Sequence, residues 1–102
     1  LYFRSGSVYV LDAYKVRLKS IAKDFLAQGK GKLLVTGNTD RSGKAEFNAM
    51  LSQQRADAVA DLLRKAGVPA DAIKVKGLGE KLARSIYDEK ERNVVVQMVL
   101  DK

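Results

Sequence analysis

Two stretches of helical apolar period, each followed by a short apolar run bounded by glycine, constrain this chain more than any other feature. From Leu11 to Gln28 the apolar residues Leu11, Tyr14, Leu18, Ile21, Ala22, Phe25 and Leu26 recur at steps of three and four, the mark of an amphipathic helix. Gly29-Lys30-Gly31 ends it, and Leu33-Leu34-Val35 is a run of strand length closed by Gly37. The second helical stretch begins with a short piece over Lys44 to Met50 and continues as a main helix from Ser52 to Ala66. Ser52 is the expected N-cap, with Leu51 stapled against Ala56. Ala56, Val59, Ala60, Leu62 and Leu63 form its inward stripe, and Arg64-Lys65, Gly67 and Pro69 punctuate its end. Ile73-Lys74-Val75-Lys76 then alternates as a half-buried strand before Gly77-Leu78-Gly79.

The remaining segments complete the pattern. Residues 1–5 are expected to form a strand ended by Gly6, and Asn38 to Gly43 a loop rich in turn formers. A short helix is expected between Leu82 and Ile86. The last strand runs from Asn93 to Leu100, with Val94, Val96 and Met98 on one face and Val95, Gln97 and Val99 on the other. The order is β-α-β-α-β-(α)-β. Two amphipathic helices on one face of a mixed sheet make an α/β (α+β) two-layer sandwich. A chain of 102 residues is one domain's worth of core. No apolar run reaches the roughly 20 residues that cross a bilayer. With no initiator Met and a strand-like start, the chain reads as a single domain, 1–102, excised from a longer protein.

Cysteine and histidine are both absent, which removes Cys/His metal sites, thiol nucleophiles and histidine acid–base catalysis. The net charge of +7 suits an anionic partner, or simply keeps a small domain soluble. Nucleic acid is not expected: of the aromatics only Phe3 sits well inside a strand, and base stacking needs a platform of them. Catalysis is not expected either. Asp40 is a lone loop acid with no paired carboxylate or activated nucleophile near it in sequence, and Gly77-Leu78-Gly79 lacks the rest of a dinucleotide fingerprint.

What remains is an acid at the end of the central strand, in Gly37-Asn38-Thr39-Asp40, and a base in Leu51-Ser52-Gln53-Gln54-Arg55-Ala56. With Ser52 as N-cap, Arg55 stands at the third helical position, inside the positive end of the helix dipole. A cation there is unfavourable by a few tenths to about 1 kcal/mol. Such a local cost often marks a functional position. Arg55 beside free helix amides would hold a carboxylate, and Asp40 an ammonium. A plain Asp40–Arg55 salt bridge pinning the loop to the helix accounts for the same spacing.

These residues also carry a resemblance. Gly37-Asn38-Thr39-Asp40, Gly43, Asn48, Leu51-Ser52, Arg55-Ala56, Val59, Leu63, Gly67-Val68 and Gly77-Leu78-Gly79-Glu80 follow, in order, the pattern of the OmpA-like peptidoglycan-binding domain. The resemblance implies a non-catalytic, periplasmic domain without cofactor or metal. Its partner would be peptidoglycan, bound through the diaminopimelate of the stem peptides, and a membrane would be reached only through a segment absent here. Asp40 would take the diaminopimelate ammonium and Arg55 its carboxylate. Asn38 and Thr39 would shape the strand-end loop, Asn48 would orient the ligand or the loop, and Leu51 and Ser52 would aim Arg55. The terminal Asn-Arg-Arg of the family becomes Glu91-Arg92-Asn93 or, shifted by one, Asn93-Val94-Val95; either way at least one Arg is missing, and on the first register Arg92 replaces the first Arg. The Glu80–Arg92 segment is shorter than usual. That departure keeps a second reading open, a degenerate domain acting as a dimerisation or assembly module with weak or lost wall binding.

Overall fold

The computed structural model describes residues 1–4, 6–41, 43–81, 83 and 92–100. Helix α1 spans Asp12–Gln28, strand β1 Lys32–Gly37, helix α2 Ala45–Lys65, strand β2 Ile73–Gly77 and strand β3 Val94–Val99, with a 3-10 turn over Ala70–Ala72. The strands lie in the order β2-β1-β3. β1 is parallel to β2, with Leu33 opposite Ile73, and antiparallel to β3, with Leu33 opposite Met98. The sheet is therefore mixed, and α2 supplies the crossover that a parallel pair requires.

Period-two alternation decides which face each strand buries. Leu33 and Val35 of β1, Ile73 of β2 and Val94 of β3 are buried against Leu18, Ala22 and Phe25 of α1 and Ala56, Val59, Ala60 and Leu63 of α2. Burying side chains of this size stabilises the fold by about 1.5–3 kcal/mol each. Alternate residues turn the other way: Lys74, Lys76, Val95, Gln97 and Val99 are exposed, and Leu34 and Thr36 half-buried. Both helices thus cover one face, giving the expected two-layer α/β sandwich.

Two expectations change, and a third falls outside the described residues. First, α2 is one uninterrupted helix beginning at Ala45 with Lys44 as an extended N-cap residue, so Ser52 is not a cap. Ala45, Glu46, Ala49, Met50 and Leu51 are strong helix formers, and Glu46 in the first turn favours the dipole. Second, the N-terminal residues make an isolated antiparallel bridge, Tyr2 with Asn93, rather than a strand. Among the described residues, pairing continues through the Leu1 and Val94 backbones and the Phe3 amide on the Arg92 carbonyl. The Arg4 carbonyl is taken instead by the Arg55 guanidinium. Third, the short helix expected between Leu82 and Ile86 lies outside the described residues.

Two glycines bring α2 close to the strand ends. A Cβ on Gly37 would stand 2.0 Å from the Ser52 carbonyl oxygen, and one on Gly77 would stand 2.7 Å from the Gln53 amide. No side chain fits at either place, so helix and sheet meet there backbone to backbone. This contact sets α2 beside the loops that follow β1 and β2.

Candidate functional site

The inward stripe of α2 changes character along its length. Its second half is apolar (Ala56, Val59, Ala60, Leu63), whereas its first half buries Asn48, Leu51, Ser52 and Arg55. The polar half faces the loops after β1 and β2. Ser52 fastens these together: its hydroxyl donates to the Ala49 carbonyl at 2.8 Å and accepts from the Gly79 amide at 2.8 Å. The Gly79 carbonyl in turn accepts from the Thr39 amide at 2.8 Å, and the Leu78 amide donates to the Gly37 carbonyl. On the other side Asn38 pairs with Asn93 through both backbones and through a 2.9 Å side-chain bond. The chain after β1 is held from both flanks, and Asp40 follows it into the interior.

Asp40 is 1% exposed and Arg92 5% exposed, and Arg92 Nη1 meets Asp40 Oδ2 at 2.8 Å. Arg92 Nε also donates to the Phe3 carbonyl at 3.1 Å. Among the described residues no ion pair joins Asp40 to Arg55, so the simple bridge that the spacing allows is replaced by one to Arg92. Arg55 is fully buried in the middle of α2 rather than at its start. Its Nε donates to the Ser7 carbonyl at 2.8 Å and its Nη2 to the Arg4 carbonyl at 2.9 Å, with the Phe3 ring 5.1 Å from its central carbon. The dipole argument for Arg55 therefore falls. The cation is held by two carbonyls and an aromatic face.

These groups surround a cavity of about 210 Å³, lined by Thr39, Asp40, Asn48, Leu51, Arg55 and Arg92 together with Gly6, Gly43 and Phe47. Asn48 Nδ2 lies 3.4 Å from the Asp40 carbonyl and 3.3 Å from Glu80 Oε1, tying helix, loop and turn together. Asn38 and Ser52 stand outside this lining; their side chains hold the loops, as above. Gly6, Gly43 and Phe47 are not among the site residues expected from sequence. Phe47 had a signal, an aromatic residue directly before Asn48 that remains 48% exposed. The sequence marks Gly6 as a terminator of the N-terminal segment, not as a site residue.

Among the described residues, two buried polar atoms of the lining residues have no hydrogen-bond partner, Arg55 Nη1 and Thr39 Oγ1. Buried donors left in this state are rare and disfavour the fold. Burial first, then the neighbouring Arg92 charge, lowers the Arg55 pKa to about 10, against an opposing pull from Asp40. Arg55 remains a cation at neutral pH. Among the described residues two guanidiniums and one carboxylate line the cavity, which favours an anion within it.

The profile of the OmpA family matches residues 2–97. The outer-membrane lipoprotein YfiB of Pseudomonas aeruginosa is 40% identical over 75 residues, which is 74% of this chain and 44% of that protein. Outer membrane protein P5 of Haemophilus influenzae is 38% identical over 78 residues, 76% of this chain and 22% of that protein. The chain thus spans less than half the length of either relative. Among solved structures, the peptidoglycan-associated lipoprotein of Burkholderia pseudomallei superposes with a TM-score of 0.84 at 29% identity, over 99% of this chain and 88% of that one. The relatives so named are envelope proteins. With the mixed sheet, the two covering helices and a profile match along nearly its whole length, the chain belongs to the OmpA family.

Proposed function

We propose that this domain binds peptidoglycan without catalysis, holding the zwitterionic end of a stem-peptide diaminopimelate in the Asp40–Arg55 cavity. In that role it would anchor a periplasmic envelope protein to the cell wall. The observation that carries the reading is that Arg55 and Thr39, which line one cavity with Asp40, each bury a polar atom, Nη1 and Oγ1, that has no partner among the described residues. A ligand carboxylate there would satisfy both and offset the second guanidinium. The ligand ammonium would approach Asp40, whose Oδ2 already pairs with Arg92, so it contributes less than the carboxylate. The Burkholderia structure bears the description peptidoglycan-associated, which supports the same partner.

Calorimetric titration with a diaminopimelate-ending stem tetrapeptide tests the assignment. Converting the diaminopimelate carboxylate to its amide should weaken binding by about tenfold or more, equivalent to about 1.4 kcal/mol. Acetylating the ammonium should have a smaller effect. Equal affinity for the amide and the parent peptide would remove Arg55 from the site. No binding of the parent peptide would favour the assembly-module reading instead.

A further inference from the structure

A second and larger concavity, about 470 Å³, lies on the other side of the N-terminal segment. Tyr2, Tyr9 and Tyr14 converge on it with Leu11, Arg4 and Ser7. Two of these rings lie largely outside the core, Tyr2 at 52% exposed and Tyr9 at 56%, while Tyr14 is half-buried and packs against it. Each presents an apolar face and a hydroxyl at its tip, a combination suited to a ligand that is itself amphipathic. Basic groups stand around them, with Lys15 5.3 Å from the Tyr9 ring and Arg17 5.8 Å from that of Tyr14.

The two cavities share a wall. Gly6 lines the polar one, while Arg4 and Ser7 line the tyrosine one. The carbonyls of Arg4 and Ser7 are the groups that Arg55 holds at 2.9 and 2.8 Å. A single thickness of chain therefore separates the two sites, and Arg55 fixes it from the polar side. A peptide of three residues reaches roughly 10 Å when extended, enough to pass from one cavity to the next.

We infer that the tyrosine cavity is a saccharide subsite, which stacks pyranose rings of the wall glycan while the polar cavity holds the peptide branch. The inference rests on the peptidoglycan reading above. Pyranose rings carry an apolar face of C–H groups edged by hydroxyls, which matches tyrosine rings whose edges bear hydroxyl, guanidinium and serine groups. The volume is in the range of sites that enclose a small organic ligand. Linking the two subsites through one ligand raises the effective concentration of the second contact without any new interaction.

The test uses the 102-residue chain and three probes: the peptide-free N-acetylglucosamine–N-acetylmuramic acid disaccharide, the free stem tetrapeptide, and the disaccharide joined to that tetrapeptide. The disaccharide alone should shift the NMR ring signals of Tyr2, Tyr9 and Tyr14. The joined ligand should bind about tenfold more tightly than the free peptide. Tyr9→Ala, at an exposed position, should abolish that gain and leave the affinity for the free peptide unchanged. Unmoved tyrosine signals together with equal affinity for joined and free peptide would overturn the subsite. Ring shifts with the disaccharide but no binding of free peptide would uphold the saccharide subsite and count against the Arg55 reading alone.

Discussion

At the scale of single residues, the site is defined by groups whose burial makes no sense for the fold alone. Thr39 hides a hydroxyl with no partner among the described residues, so Thr39→Val should leave the ligand-free domain as stable as before, or up to about 1 kcal/mol more so. The same change should weaken stem-peptide binding several-fold, a split read by thermal melting beside calorimetry. Arg55 differs. Its two carbonyl bonds and full burial mean that Arg55→Ala would leave a void and two orphaned acceptors, so the volume-keeping Arg55→Met is the cleaner probe. Its titration has a defined sign. The folded pKa of about 10 lies below the ordinary arginine value, so between the two the unfolded chain binds more protons and this group's contribution to stability rises with pH. Ligand affinity should move the opposite way, falling as pH rises through about 10 and Arg55 loses its charge. An affinity flat to pH 11 would show that Arg55 keeps its charge over that range. The sequence made Asp40 and Arg55 conspicuous, but not the Asp40–Arg92 pair. Those partners lie 52 residues apart, and no local rule connects them.

At the scale of elements, α2 carries the argument. Its start was misread because Leu51-Ser52 imitates a staple and cap, whereas Ser52 spends its hydroxyl on the turn after β2. Only the folded chain brings Gly79 to that hydroxyl. By contrast α1, β1 and both faces of β3 were legible, since their apolar periods are met by burial alone and need no distant partner. Removing the clasp tests its role. Ser52→Ala leaves the Gly79 amide without its acceptor and should destabilise the domain by about 1–3 kcal/mol. The urea midpoint should drop with an unchanged slope. An unaltered midpoint would show that the Gly79 turn is held without Ser52. The N-terminal segment was misread for a related reason: Tyr2 and Phe3 look like strand, but Arg55 draws the Arg4 carbonyl out of the ladder.

For the molecule as a whole, Arg92 joins what the sequence keeps farthest apart. It contacts the Phe3 carbonyl, 89 positions away, and Asp40 at the end of the central strand. Arg92→Met should destabilise the domain by about 3–5 kcal/mol, because it leaves the Asp40 carboxylate buried without its paired guanidinium. A melting temperature within a degree or so of wild type would contradict that role. The net charge of +7 acts at the same scale. Salt should weaken attachment to a carboxylate-rich wall by screening the exposed lysines, with the buried Arg55 contact persisting. The most direct measurement is co-sedimentation of the domain with purified insoluble peptidoglycan at physiological salt, beside Arg55→Met. The account predicts that the wild type pellets with the wall and the folded variant stays in solution. Equal pelleting of both, or a wild type that remains soluble, would contradict it.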